Sequence, residues 1–229
     1  QMAKMRFMFG GKATLPVTVL TMGGAGGSLA AQHSQSLEAW LAHLPGMKVV
    51  MPSDSYDAKG MIISATRDNN PVFVVLNKAS LAMSMEVPEG SYEVPLGEAC
   101  VRRQGKDLTI VAFGRMVHEA MASVDRLKEI GIDAEVIDAR SVQPFDTETV
   151  VNSIRKTHRA LVIHEAVKFG GIGGEIAAQI QEEAFDYLDA PVMRVAAPFS
   201  PVPFSPALEQ IYIPNADSIL TKVKETLAM

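Results

Sequence analysis

The sequence holds a single cysteine, Cys100, among 229 residues. No disulfide can form within the chain, and no second Cys or His stands beside it at metal-ligand spacing, which points to a structural thiol in a reducing compartment. No run approaches the ~18 consecutive apolar residues that a membrane-crossing helix requires, and residues 1–8 carry charges but no cleavable hydrophobic stretch. Positive charge is not in excess either: 21 Lys and Arg stand against 26 Asp and Glu, a net charge of −5. The basic residues are scattered, so nothing gathers to neutralise phosphates, and nucleic acid and membrane are excluded as expected partners. Solenoid-spaced repeats and low-complexity tracts are missing. His43, His118 and His158 lack partners three or four residues away that would complete a zinc set.

What is present is the composition of a packed globular protein, 48% hydrophobic and 21% charged, enough for one large or two ordinary α/β domains. Residues 1–9 place apolar side chains at helical spacing with no N-cap, then stop at Gly10-Gly11, and read as the end of a helix that begins before the sequence does. A β-rich run at 16–21 empties into the glycine-rich segment 22–28. A helix is expected over 33–43, a strand over 47–51, a helix capped by Ser53 as far as 67, and a strand over 71–76. Over 77–106 the periodicity fails among Pro88, Gly90, Pro95 and Gly97. A second series follows: strand 107–113, helix 116–130 stopped by Gly131, strand 133–138, helix 147–156 capped by Asp146, strand 160–164, helix 174–187, strand 192–195, a proline-rich loop, and a last helix from about Ala216. Strands alternating with helices of this length predict an α/β fold with a mostly parallel sheet and right-handed crossovers. The expected division is an incomplete first domain at 1–77, a linker at 78–106 and a second domain at 107–229.

Several segments could carry chemistry. The loop at 23–28, followed by Gln32-His33-Ser34-Gln35, lies just past the C-terminal end of a strand, where open α/β sheets keep their ligands. It is no dinucleotide fingerprint, because the last position of the pattern is Leu29. The plainer alternative, a tight turn with His33 at a helix cap, stands level with it on the residues alone. At 170–174, Gly170-Gly171-Ile172-Gly173-Gly174 would let a helix N-terminus approach the sheet or an anion, and close packing is the favoured reading. His164-Glu165 could form an acid/base pair, but neighbours on a strand face opposite ways, which favours a domain-interface or capping role. A nucleophile elbow at Gly26-Gly27-Ser28-Leu29-Ala30 served by His164 or His158 lacks its closing Gly and sits too far beyond the strand. Residues 64–71 end a helix and turn into a strand. Orphaned helix carbonyls there could bind a hard cation, although a turn in which Asp68 and Asn70 bond their own backbone is preferred on the residues alone.

The run Ala30-Ala31-Gln32-His33-Ser34-Gln35, with Glu38-Ala39-Trp40 and Pro45-Gly46-Met47-Lys48-Val49-Val50, strongly resembles the beta subunits of thiamine-diphosphate-dependent 2-oxo acid dehydrogenases. The resemblance continues through Asp57 to Gly60, Ala65 to Pro71, Val94 to Gly97, Gly114 to His118, Val136 to Asp138 and Pro201 to Phe204, nearly the whole chain in the family's order. It implies a transketolase-like fold, with part of a pyrimidine-binding domain followed by a transketolase C-terminal domain. It further implies a separate alpha subunit that binds the diphosphate and its magnesium, a heterotetramer with a second beta subunit, and a lipoyl-bearing acyltransferase as acceptor. By position His33 matches the family's active-site histidine, which assists proton movements and acyl transfer to lipoamide. The family's potassium site, built largely from backbone carbonyls, maps onto Val17, Ala65, Thr66, Asp68 and Asn70.

Two departures stand out. The family glutamate that protonates the aminopyrimidine would lie before residue 1 and has no replacement here, so a proteolysed or truncated chain, unable by itself to activate the cofactor, is expected. Within 77–83 the sequence also lacks the glutamate and the Leu-Tyr pair usual in relatives. The stretches Val202 to Glu209 and Tyr212 to Ala216 look more like acetoin dehydrogenase than like most pyruvate or branched-chain beta subunits. The implied setting is the bacterial cytoplasm, or the mitochondrial matrix in a eukaryote. The rivals are a transketolase or 1-deoxyxylulose-phosphate synthase, against which the Ala-Gln-His-Ser-Gln run speaks, and a non-catalytic assembly module.

Overall fold

A computed structural model describes residues 1–227. After α1 (Met2–Met8), the first half contains β1 (Thr18–Gly23), α2 (Ala30–His33), α3 (Glu38–Ala42), β2 (Lys48–Val50), α4 (Ser55–Arg67) and β3 (Val72–Asn77). The second half contains β4 (Cys100–Arg103), β5 (Leu108–Ala112), α5 (Met116–Glu129), β6 (Ala134–Asp138), β7 (Ser141–Gln143), α6 (Thr147–Thr157), β8 (Ala160–Val167), α7 (Ile172–Ala184), β9 (Met193–Ala197), α8 (Pro206–Tyr212) and α9 (Ala216–Leu227). Two sheets result, in the orders β1-β3-β2-β7 and β4-β6-β5-β8-β9. Only β7 and β4 run antiparallel to their neighbours. This is the expected α/β fold with mostly parallel sheets.

Parallel strands covered on both faces are mostly apolar, and β5 and β6 are buried at every position, Thr109, Glu135 and Asp138 included. Alternation along them divides two cores. Ile110, Val136 and Leu161 pack with α5 and α9, whereas Val111, Ile137 and Val162 pack with α6 and α7. The second of these cores also takes in Met47, Val49, Met51 and Val75 of the first sheet. The two sheets therefore share a hydrophobic seam, and a site at their junction rests on a rigid floor.

Local signals account for most boundaries. Asp146 caps α6 by accepting from the Thr149 N–H at 3.0 Å, and Gly131 ends α5 in the left-handed region at φ +81°. The cap of α4 is Asp54, which accepts from the Asp57 N–H at 2.8 Å. The expected cap, Ser53, instead donates to Asp138 in the second half.

Other expectations give way to long-range contacts. The single helix expected over 33–43 is broken into α2 and α3, because the Gly24 N–H donates to the Gln35 carbonyl at 3.3 Å and draws residues 34–37 out of helical geometry. The segment 78–106, expected as a linker, supplies the edge strand β4. Strand β7 was not foreseen: it crosses to the first sheet and pairs with β2. Helix α8, opening with proline at its first turn, lies inside the stretch expected as a proline-rich loop. Among the described residues, no helix is long and apolar enough to cross a membrane.

Candidate active site

The chain leaves β1 through a loop of alternating left-handed residues: Gly24 (φ +92°), Gly26 (φ +103°), Ser28 (φ +52°) and Ala30 (φ +59°). Gly24 is obligatory on space as well, since a Cβ there would lie 2.3 Å from Asn77 Nδ2. The loop's amides are spent inside the protein. Ala25 N–H donates to Glu165 Oε1 at 2.5 Å, and Gly26 and Ser28 N–H donate to Glu209 Oε1 and Oε2 at 2.8 and 2.9 Å. Successive backbone N–H groups in such a loop form a nest for an anion. Here the anions are two buried carboxylates of the second half, so the loop is no phosphate cradle.

His33, the last residue of α2, is exposed beyond this loop. The next residues line a cleft of about 530 Å³ between the two halves, walled by Ser34, Trp40, Glu165, Phe169, Phe199 and Tyr212. Four aromatic side chains, Trp40, Phe169, Phe199 and Tyr212, stand in this wall among small and polar residues. Ser34 is buried and its hydroxyl has no hydrogen-bond partner among the described residues. The wall of this cleft thus begins at Ser34, immediately after His33, while the glycine loop itself borders a separate, smaller void.

Below the loop lies a void of about 10 Å³ bordered by Gly24, Glu38, Asn77, Arg115, His164 and Glu165, close to the least space that holds one water. Glu38 is fully buried, one of its carboxylate oxygens lacks a partner, and burial, with the charge of Glu165 adding to it, pushes its carboxyl up to about 7. Burial likewise raises Glu165, against the pull of the Ala25 amide, Arg115 and Asn77. Asn77 Nδ2 donates to Glu165 Oε2 at 2.6 Å. Sequence reasoning missed Glu38, Asn77 and Glu209 as parts of this site.

His164 and Glu165 face opposite ways, as strand geometry requires. The His164 ring lies under α7, where a Cβ on Gly173 would come within 2.4 Å of its Cδ2 and one on Gly171 within 2.6 Å of Cε1. Burial, helped by Arg194, lowers its pKa to about 4, and neither ring nitrogen has a partner among the described residues. Gly171 and Gly173 therefore serve close packing, whereas Gly170 has open space around it and a left-handed backbone at φ +68°. His164 is neutral at pH 7 and turned away from the loop. The elbow arrangement fails too: Ser28 Oγ donates to Glu209 at 3.5 Å, and the His158 ring bonds the Tyr187 carbonyl. His118 bonds the Ser53 carbonyl across the junction.

The candidate cation corner lies at the other end of β1. The Val17 carbonyl accepts from Val72 N–H at 2.9 Å, the Ala65 carbonyl accepts from Asp68 N–H at 3.2 Å, and Thr66 bonds the Ile63 carbonyl through its hydroxyl. Asp68 pairs with Lys48 and accepts from both Asn70 nitrogens. Burial opposes ionisation of Asp68, but these bonds outweigh it and hold the carboxyl below its ordinary value. Any cation here would be held by backbone carbonyls, each with a second lone pair free, rather than by the Asp68 carboxylate. Among the described residues no three His, Cys, Asp or Glu side chains gather as a metal site.

A further charged cluster ties the halves together. Asp57, without exposed surface, pairs with Arg102 and Arg140, and Arg102 also meets Asp54 and Asp138. Asp57 Oδ1 meets Arg140 only as an ion pair at 2.7 Å, with no hydrogen bond of its own among the described residues.

Residues 1–83 match the transketolase pyrimidine-binding domain, and residues 97–219 match the transketolase C-terminal domain. The chain is 48% identical over 227 residues to the acetoin:2,6-dichlorophenolindophenol oxidoreductase subunit beta of Bacillus subtilis, covering 99% of this chain and 66% of the relative. It is 46% identical to the pyruvate dehydrogenase E1 component subunit beta of the same organism, covering 99% of this chain and 70% of the relative. A solved structure described as a split gene transketolase, inactive beta4 tetramer, superposes with a TM-score of 0.77 at 29% identity, covering 94% of this chain and 67% of that one. The chain spans about two thirds of the length of these relatives. Both domain families in order, and 46–48% identity in alignments that cover 99% of the chain, place it in the transketolase-like family of acetoin and pyruvate dehydrogenase beta subunits.

Proposed function

We propose that the chain serves as the beta-type subunit of a thiamine-diphosphate-dependent oxidoreductase that cleaves acetoin or a 2-oxo acid and passes the acyl group to lipoamide. The observation that carries this reading is that the run directly after His33, from Ser34 to Trp40, walls a cleft between the two halves, beside a loop whose Ala25, Gly26 and Ser28 amides are already held by carboxylates. Thiamine diphosphate, when bound, supplies the electron sink for breaking a carbon–carbon bond next to a carbonyl. The residues here suit the ring end of that cofactor, since the cleft offers apolar and aromatic side chains, Trp40, Phe169, Phe199 and Tyr212, for a ring to pack on. They do not suit its diphosphate and magnesium, because the loop amides carry carboxylates and no acidic metal cluster is present among the described residues. Those groups belong, in this reading, to an alpha subunit facing the cleft, with two alpha and two beta chains completing a heterotetramer and a lipoyl-bearing acyltransferase docking on it.

His33 is assigned proton transfer beside the cleft, the work that general acid–base catalysis asks of a positioned side chain. Potassium would sit against the backbone carbonyls of Val17, Ala65, Thr66, Asp68 and Asn70, tying the start of β1 to the end of α4. The assembly would work in a reducing aqueous compartment, the cytoplasm of a bacterium or the matrix of a mitochondrion. Acetoin is the preferred donor, on the likeness of residues 202–216 to acetoin dehydrogenase beta subunits.

The test is lipoamide acylation by the complete protein with its alpha partner, given acetoin or pyruvate. His33→Ala should cost on the order of 10²–10⁴ in rate, the usual contribution of a positioned acid–base group. Undiminished acyl transfer by that variant would end the assignment of His33.

A further inference from the structure

We propose that Glu209 is a positioning residue for His33, acting from the C-terminal domain through the glycine loop; the proposal rests on the reading of His33 given above. The loop at 24–30 is a poor candidate to hold its own shape. Four of its seven residues are left-handed, two of them, Ser28 and Ala30, carrying a Cβ, and such backbone persists only where the surroundings over-determine it. Its own domain offers little: Gly24 N–H reaches the Gln35 carbonyl at 3.3 Å, and the Gly23 carbonyl accepts from Lys78 N–H at 3.0 Å. From Ala25 to Ser28 the side-chain acceptors come from across the junction. One carboxylate, Glu209 on α8, spans two amides, Gly26 and Ser28, with one oxygen each. That bidentate grip sets the path of the chain two residues before α2 begins, and α2 carries His33 at its end. Charge-assisted bonds of this kind are the strong ones and fix orientation as well as distance. Glu165 holds Ala25 in the same way, but it also faces Glu38 across the small void, so Glu209 is the cleaner member of the pair to test.

The consequence is a coupling between domains. The histidine lies in the pyrimidine-binding half, while the group that fixes its approach lies 181 residues beyond Ser28, in the C-terminal half. Glu209 touches no reacting atom in this arrangement, so its loss should act only through His33.

The experiment uses the complete protein assembled with its alpha partner, in four forms: wild type, Glu209→Gln, His33→Ala and the double variant. Gln keeps the size but places a donor against one amide. Glu209→Asp, one methylene too short to span both amides, is the second variant should Gln disturb folding. Amide exchange is followed at Ala25 to Ser28, with Leu108 to Ala112 in the core as the folding control, and turnover is measured with lipoamide and with a dye acceptor. The expected result is faster exchange in the loop with unchanged core protection, lipoamide turnover lowered about 10²-fold as for a misplaced catalytic group, and the His33→Ala ratio of lipoamide to dye turnover. The double variant should match His33→Ala within about twofold, because residues acting as a unit are not additive. Unchanged loop exchange, or single losses that multiply in the double variant, would overturn the proposal while leaving the reading of His33 intact. Wild-type lipoamide turnover by His33→Ala overturns that reading itself, and the positioning role with it, whatever the exchange shows.

Discussion

Glu38→Gln should tilt the pH dependence of stability by a calculable amount. The Glu38 carboxyl is buried without a partner for one oxygen among the described residues, and its pKa rises from 4.5 to about 7 on folding. The folded state therefore binds a proton that the unfolded chain has released between those values. The stabilising, protonated form is complete below 4.5, and stability is lost as pH rises towards 7, beyond which this group adds no further change. A gap of 7 − 4.5 at ~1.36 kcal/mol per pH unit is about 3 kcal/mol. Gln cannot ionise, so the stability of the variant relative to wild type should improve by about 3 kcal/mol between pH 4.5 and pH 7.5 and change little outside that window. Urea unfolding of both proteins at half-unit pH steps, compared as a difference so that other titrating groups cancel, measures this directly. Parallel curves for the two proteins would refute the assignment of a buried, unpaired carboxyl at position 38.

His164 provides the opposite signature: with its pKa lowered from 6.5 to about 4, stability is complete above 6.5 and falls by about 3 kcal/mol as pH drops through 4, a loss that His164→Gln should remove from the acid limb of the same urea titration. Gly173→Ala drives a methyl to within 2.4 Å of His164 Cδ2, and thermal unfolding should register a loss of about 1–3 kcal/mol from overpacking. Asp57→Ala strips the shared partner from Arg102 and Arg140 at the junction. A loss of about 3–5 kcal/mol is expected for a broken buried ion pair, read by denaturant midpoint, with Asp57→Asn recovering part of it. Asp146→Ala should cost about 1 kcal/mol, the usual value of an N-cap, without affecting turnover of the assembled enzyme.

What could be read from the sequence follows the range of the interactions responsible. Strands β5 and β8 are largely apolar, interrupted only by Thr109 and by His164-Glu165, and α5 and α6 carry their stop and cap within a few residues, so their limits are local facts. Strand β4 has four half-buried positions and β7 only three residues. Neither has room for a period, and β7 takes its partner from the first sheet. The break between α2 and α3 is invisible for the same reason, because it depends on where the Gly24 amide lies when β1 is in place. The site divides likewise. His33 stands in a recognisable run and Glu165 is an acidic residue in an apolar strand, each odd enough to be noticed. Nothing around Ala207-Leu208-Glu209-Gln210 sets Glu209 apart, and Glu38 passes for an ordinary polar residue in the first turn of a helix.

The most consequential contact for function is therefore the least local one. A glycine loop after a parallel strand ordinarily leaves its amides for a ligand anion. This loop gives them to Glu165 and Glu209, and in doing so trades anion binding for a fixed backbone. Two results follow from that exchange. In the proposed reading, the anionic end of the cofactor is therefore met by the surface of a partner chain. The loop, relieved of gripping the ligand, is free to act as a mount: its shape is decided by carboxylates that no substrate displaces, so the geometry of His33 is set before anything binds. A site preorganised in this way loses rate when the mount is disturbed even though no ligand contact changes, which is why the loop's acceptors, rather than the residues facing the cleft, are the sharper probes of how the site is built.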